Sequence, residues 1–367
     1  MIVFVYGTTG ELIKIAPVLA RLRERGADVQ TWCTGQQAGE LVEMADALGV
    51  PRPDVWLAEG HRGQPLSRPV ELPLWAATVA TRFARRYRSA RRALRGGLVV
   101  VHGDTFTTVV GALIGRALGL PVAHIEAGMR SHDWRNPFPE ELNRRAVAKL
   151  ARIHFAPGPV PVENLRGAKG EVVDTRVNTV RDSLDLVPDT VDGLPSPLPD
   201  RFGVVSLHRF ELLQDRGLFV ETMKLLAARS AQVPLVFVDH AVTAAKVREH
   251  GLDGLFDDRF IRVPKLSYFA FVTLVRRSEF VVTDSGGLQQ ESSYMDHPCL
   301  VHRAVTESPE GLGRNVVLSR LDLDVLAAFL DDPGRYRTQA PDTGPSPSDI
   351  VVDHLSAHGF CPGPGVA

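Results

Sequence analysis

Between residues 101 and 145 the chain reads Val-His-Gly-Asp-Thr, then His-Ile-Glu-Ala-Gly-Met-Arg-Ser, then Asn-Pro-Phe-Pro-Glu-Glu-Leu-Asn-Arg-Arg. Asp104 and Glu126 each follow a short apolar run, where a parallel sheet delivers side chains to a site, and Glu140 follows on the next loop. Carboxylates brought together from neighbouring loops form an acid/base set, because like charges held close push their pKa values apart. A solvated face would scatter its acids among lysines on helices. Here they stand beside Gly103, Gly128 and Pro139, on loops of the kind that build sites. The pattern implies an enzyme.

Three further segments offer binding chemistry. Gly7-Thr8-Thr9-Gly10 joins the first apolar run to a helical pattern, where glycine lets a ligand approach the backbone and a helix start attracts anions. The run lacks the G-x-G-x-x-G and P-loop patterns. Lys14, one turn on, reaches the same anion or is a solvated helix lysine. Thr283-Asp284-Ser285-Gly286-Gly287 follows an apolar strand and precedes a helix, so its amides suit a diphosphate, with Glu291 placed to accept from ribose hydroxyls. The plainer reading of Ser285 is a helix cap with Gly286-Gly287 as a tight turn. His208 and Arg209 follow the first strand of the second half, where His208 can protonate or steady a leaving group and Arg209 can pair with phosphate or Glu211.

The frame that must position these residues is visible in the hydrophobic pattern. Strands are expected at Ile2–Val5, Val29–Cys33, Leu98–His102 and Val122–Ile125, with helices at about Glu11–Glu24, Leu41–Leu48 and Val109–Leu118 between them. Leu186–Pro199, rich in Pro, Asp and Gly, marks a boundary, and the alternation restarts at Phe202–Ser206. The fold class expected is α/β: two doubly wound Rossmann-like domains facing each other across a cleft. The domains are residues 1–185, carrying the carboxylates, and 186–355, binding a nucleotide, followed by a tail at 356–367. Towards the C-terminus a loop is expected at about 337–347, a short helix near Ile350–His358 and a frayed end at 360–367.

Composition excludes several classes. The 367 residues exceed what one core usually serves, and 23% charged with 44% hydrophobic residues describe a soluble globular chain. Lys and Arg number 42 against 43 Asp and Glu, which gives no reason to expect a nucleic-acid surface. No apolar stretch reaches membrane-spanning length, and the N-terminus enters a strand pattern without a leader-like basic region. The arginines of Arg85–Arg95 read as the solvated face of an amphipathic helix. Cys33, Cys299 and Cys361 lie far apart, so buried free thiols in a reducing cytoplasm are expected. No metal cluster or redox cofactor motif is visible.

With these residues in place, the chain resembles the non-hydrolysing UDP-N-acetylglucosamine 2-epimerases, which have the two-domain GT-B fold. The resemblance spans roughly residues 1–355 and rests on Gly103-Asp104-Thr105, His124-Ile-Glu-Ala-Gly-Met-Arg, Pro139-Glu-Glu-Leu-Asn-Arg and Thr283-Asp-Ser-Gly-Gly-Leu-Gln. It implies inversion at C2 of UDP-N-acetylglucosamine to the manno sugar, through loss of UDP and its return to a glycal-like intermediate. It makes Asp104, Glu126 and Glu140 the acid/base set, with Lys14 and His208 supporting the departing diphosphate. Thr8, Thr9, Arg130, Asn143, Arg144, Arg209, Ser285, Gly286, Gly287 and Glu291 then bind nucleotide or substrate, no cofactor is needed, and a homodimer is possible. The chain departs from the family where Thr9, Phe210 and Ser308 stand in place of arginines, and it lacks a Pro-Val-His-x-Asn-Pro stretch near His240–Lys246. Each lost charge-assisted hydrogen bond is worth about 1.5–3 kcal/mol. A hydrolysing epimerase, a GT-B glycosyltransferase and a catalytically silent sugar-nucleotide-binding protein are the alternatives; a transferase has little use for three acids.

Overall fold

Ile2–Tyr6 is buried at every residue and shows no polar alternation, the mark of a strand covered on both faces. It is β1 of a computed structural model that describes residues 1–36, 38–60, 71–132, 138–339 and 344–363. β2 (Val29–Cys33), β3 (Val55–Trp56), β4 (Leu98–His102), β5 (Val122–Ile125), β6 (Ile153–Ala156) and β7 (Glu171–Asp174) complete its sheet. The order is β3-β2-β1-β4-β5-β6-β7, and all neighbours run parallel. A second parallel sheet contains β8 (Gly203–Ser206), β9 (Leu235–Val238), β10 (Phe260–Val263), β11 (Val281–Thr283), β12 (Cys299–Val301) and β13 (Val316–Leu318), in the order β10-β9-β8-β11-β12-β13. Both sheets are doubly wound, as the hydrophobic pattern implies.

Each sheet has one place where the strand order reverses direction, between β1 and β4 in the first and between β8 and β11 in the second. Loops leaving the carboxyl ends of such strands diverge to opposite faces and open a crevice there. The register sets which residues meet at these points. His102 on β4 pairs with Ile125 on β5, so Gly103-Asp104 and Glu126 leave the sheet side by side. Ser206 on β8 pairs with Thr283 on β11, so Leu207-His208 emerge next to Asp284-Ser285.

The helix Phe106–Leu118 carries Asp104's loop back across the first sheet. A Cβ on Gly111 would meet Val101 at 2.7 Å and Val5 at 2.9 Å, and one on Gly115 would meet Val122 at 2.6 Å. Hydrogen at these two positions, one helical turn apart, lets the helix lie close on β1, β4 and β5. Below it, Val3, Val5, Val99, Val101 and Val122 form the buried apolar layer.

The chain divides into two compact units, Met1–Leu186 with Thr343–Ala367, and Val187–Asp342. The last helix, Pro347–Ala357, therefore corrects the expected 186–355 domain. Buried Asp182 accepts from Ser346 Oγ at 2.7 Å and from the Ser348 amide at 2.9 Å. Arg21, on the helix Thr9–Glu24, and Arg25, which caps its C-terminus, pair with Asp349 and Asp353 at 2.6 and 2.5 Å. These polar partners lie over 160 residues away in sequence, so a local pattern does not reveal them. The expected loop at 337–347 and frayed end at 360–367 fall partly outside the described residues. The three cysteines are free and buried. Among the described residues, no helix is long and apolar enough to cross a membrane.

Candidate active site

Glu126 follows β5 in the left-handed region, with φ of 65°, directly beside Gly103 at φ of 66°. Two positive-φ residues at adjacent strand ends turn both loops out of the sheet, and a side chain held in that region is a mark of a site. Glu126 Oε2 receives the Lys14 ammonium and the Asn178 amide, and His102 Nε2 lies 3.8 Å away. Burial by itself would raise the Glu126 carboxyl. The Lys14 charge, then His102, then the hydrogen bonds from Lys14 and Asn178 overcome it and hold the group at about 2. Glu126 is thus ionised in this arrangement. The expectation that crowded acids push one another apart is corrected here, because the carboxylate is paired with a cation.

Asp104 has its own cation. Arg144 Nε and Nη2 lie 2.8 and 2.5 Å from Asp104 Oδ2, and Asn143 Nδ2 donates to the Asp104 carbonyl at 2.8 Å. Both partners come from the helix Glu140–Leu150, which begins at Glu140. That helix is steadied by Glu141, fully buried, which accepts from the Arg145 guanidinium at 2.9 Å and the Ser131 amide at 3.1 Å. Glu140 differs from the other two acids: among the described residues its Oε2 is buried without a hydrogen-bond partner. Arg130 turns back to donate to the Met129 carbonyl at 2.7 Å.

The turn after β1 departs from expectation. Thr8 caps the helix Thr9–Glu24, and Glu11, three residues on, folds back so that its Oε2 accepts from the Gly7 and Thr8 amides at 2.8 and 2.9 Å. Thr105 Oγ1 donates to Glu11 Oε1 at 2.7 Å. Amides proposed for a ligand anion therefore already hold the protein's own carboxylate, and burial raises that carboxyl to about 6. Thr8-x-x-Glu11 is the capping-box pattern, legible in the sequence as such. Thr9 opens the helix, and Lys14 projects from it to Glu126.

In the second unit, Asp284 organises the ends of β8 and β11. It is fully buried, and its Oδ2 accepts the His208 and Arg209 amides at 2.8 and 2.7 Å. Its Oδ1 lies 3.4 Å from His208 Nδ1. The His208 ring packs against His240, with centroids 4.4 Å apart, and His240 Nε2 meets Ser206 Oγ at 3.1 Å. Burial, then the charges of Arg209 and Lys265, lower His208 to about 4. At neutral pH His208 here is an uncharged imidazole, which corrects any reading of it as a standing cation. It can donate a hydrogen bond, or share a proton once an anion is near.

Ser285 caps the helix Gly286–Tyr294 by accepting from the Leu288 amide at 3.4 Å. The cap reading holds, and Gly286 and Gly287 form the first turn of the helix without side chains. A Cβ on Gly286 would lie 3.2 Å from Glu307 Oε1 and 3.7 Å from Arg303 Nη1, so glycine admits that ion pair over the helix start. Glu291, one turn on, faces Tyr268, whose hydroxyl is raised well above its ordinary range by burial and then by the Glu291 charge. Where arginine is usual in the resembling family, Phe210 stands 72% exposed and Ser308 is buried with its carbonyl on Gln289.

Lys14, Glu126, Asp104, Asn143 and Arg144 thus gather at the first switch point, with Glu140 opening the helix that clamps Asp104. His208, Arg209, Ser285, Gly286 and Gly287 gather at the second. Sequence reasoning missed Asn178, His102, Glu141, Asp284 and Arg303. Asp284 was readable, as an acid at the end of an apolar strand.

Two doubly wound sheets with polar and charged side chains at their switch points define an α/β frame that places such groups where sites are built. A family model for UDP-N-acetylglucosamine 2-epimerase matches residues 20–325. The UDP-N-acetylglucosamine 2-epimerase of Bacillus subtilis (strain 168) is 28% identical over 96% of this chain and 94% of its own length. A crystal structure described as a putative UDP-N-acetylglucosamine 2-epimerase from Listeria monocytogenes matches with a TM-score of 0.82 at 26% identity, covering 97% of this chain and 96% of that one. The Neisseria meningitidis enzyme bound to UDP-GlcNAc matches with a TM-score of 0.77 at 25% identity, covering 97% and 99%. The chain belongs to the UDP-N-acetylglucosamine 2-epimerase family, and its fold is of the GT-B type.

Proposed function

We propose that this protein interconverts UDP-N-acetylglucosamine and UDP-N-acetylmannosamine by inverting C2. The observation that carries the reading is the Lys14–Glu126 ion pair beside the Arg144-clamped Asp104 at one switch point, in a chain of this family. A carboxylate takes the proton from C2 while the C1–O bond breaks and its electron pair leaves on the diphosphate of UDP. The diphosphate oxygen then returns to C1, and a second acid delivers a proton to C2 on the opposite face. A C2–H of this kind is weakly acidic, so base and leaving-group stabilisation must act together. Glu140, with a buried oxygen free of hydrogen bonds among the described residues, is the group best placed to take up and return a proton. Glu126 and Asp104, held by Lys14 and Arg144, set the charge around the sugar. Lys14, His208 and Arg209 are assigned to the diphosphate, Ser285, Gly286, Gly287 and Glu291 to the nucleotide, and Thr8, Thr9, Arg130, Asn143 and Arg144 to the frame around them.

The test is proton NMR of the purified protein with UDP-N-acetylglucosamine in D2O. Deuterium at C2 together with a manno product supports the reading. Intact, unexchanged substrate overturns it for this sugar nucleotide. A cytoplasmic location, in keeping with free buried thiols, and a homodimer complete the proposal. Cell fractionation and light scattering test them.

A further inference from the structure

Glu171 begins β7, the edge strand of the first sheet, and faces the last turn of the helix Pro347–Ala357 and the residue just beyond it. His354 and His358 stand one helical turn apart there, with rings 4.3 Å between centroids. Their Nε2 atoms approach the same oxygen, Glu171 Oε2, at 3.1 and 3.2 Å. His354 Nε2 is buried and makes no well-aligned hydrogen bond. His358 Nδ1 lies 2.9 Å from the His354 carbonyl, an oxygen that only accepts, so Nδ1 carries the hydrogen. His358 Nε2 also lies 3.3 Å from Glu171 Oε1, so this nitrogen faces both oxygens of the carboxylate. Two imidazole nitrogens and a carboxylate oxygen thus converge on one point, where a proton or a metal ion can bridge them.

We propose that Glu171, His354 and His358 form a binding site for a divalent transition-metal ion of the zinc type. One donor atom from each residue lies within 4.8 Å of the others. Zinc bonds to His nitrogen and carboxylate oxygen at about 2.0–2.2 Å, which separates neighbouring donors by roughly 3.0–3.4 Å in octahedral or tetrahedral geometry. The two nitrogen-to-oxygen separations fall in that range. The backbone acceptor on His358 Nδ1 is the outer partner that fixes a metal-binding tautomer. A helix C-terminus adds negative potential. Nitrogen donors exclude the oxygen-seeking Mg2+ and Ca2+, and solvent completes the coordination because Glu171 and His358 are exposed. The bound ion joins the chain's last helix to the sheet edge. It lies away from the carboxylates of the proposed reaction and stands independently of that reading.

The test is calorimetric titration of the full chain with Zn2+ in a non-coordinating buffer, beside Glu171→Gln and His358→Gln. Both substitutions are at exposed positions that leave the core intact. One equivalent taken up by the native chain, weakened at least tenfold in each variant and absent with Mg2+, is the expected result. A Zn2+-induced rise in the melting temperature, reversed by EDTA and lost in both variants, accompanies it. No uptake below about 100 µM Zn2+, or uptake that both variants retain unchanged, overturns the proposal.

Discussion

Lys14 and Glu126, 112 residues apart in sequence, form one ion pair at the carboxyl end of the first sheet. A helix N-terminal turn and a strand end supply its two halves, so the pair exists only once β1, β4 and β5 are in register. Glu126→Gln keeps the shape but removes the charge that holds Lys14. C2 exchange is expected to fall about 10²–10⁴-fold, the usual worth of a group that moves or positions a proton. UDP affinity, measured by calorimetry, should stay within about threefold. Full turnover in this variant would remove Glu126 from the mechanism.

Arg144 presents two nitrogens to one oxygen of Asp104 and stands 3.5 Å from buried Glu141. Arg144→Ala removes this partner from both acids while Glu141 keeps Arg145, and each charge-assisted hydrogen bond lost is worth about 1.5–3 kcal/mol. The expected result is a large drop in urea midpoint together with at least a tenfold loss of kcat. Arg144→Lys restores charge without the planar fork and should recover stability better than kcat. Equal recovery of both would make Arg144 purely structural.

Acid should unfold this protein early. Burial lowers His102, His297 and His302 to about 4 and His124 to about 3, from 6.5. Between pH 6.5 and 4 the unfolded chain therefore binds protons that the folded one refuses. Stability falls as pH drops through that window and returns as pH rises. Glu126, held at about 2 rather than 4.5, contributes stability present above pH 4.5 and lost on approach to 2, which extends the decline. Each tenfold difference in proton affinity is worth about 1.4 kcal/mol. Urea melts at pH 7, 5.5 and 4.5 should show a falling midpoint; a flat profile would mean that these rings are solvated.

The frame was legible because period and composition carry it: Leu98–His102, Val122–Ile125 and Leu235–Val238 are apolar runs bounded by turn residues, and they are strands. The short β3 and β13 and the long helix Leu72–Ala93 were not delimited, since two or three residues give no period and the helix is marked mainly by its solvated arginines. Glu126 and Asp104 were found as acids at strand ends. Lys14 and Arg144 were named as site residues, but their pairing with Glu126 and Asp104 was not foreseen, because partners 112 and 40 residues away leave no local pattern. Glu11 shows the converse. Its spacing from Thr8 announces a cap, and that cap occupies the turn where a ligand anion was expected.

Phe210 is exposed at the start of the helix Phe210–Gln214, where the family usually has arginine. Phe210→Arg meets no packing, so its fold stability should be unchanged. If the loop faces the nucleotide, the new charge should lower KM for the UDP-sugar at least about tenfold, in line with about 1.5–3 kcal/mol for a charge-assisted hydrogen bond. An unchanged KM with unchanged stability would remove this loop from the binding surface.

Because the last helix belongs to the first unit, the second unit is an insertion in sequence: the chain leaves the first unit near residue 187 and returns near 342. On the ribosome, domains ordinarily complete themselves in order of synthesis. Here Asp182, Arg21 and Arg25 of the amino-terminal unit wait for their partners until residues 346–353 have emerged. The inserted unit, with both ends of its sequence already made, is free to finish first.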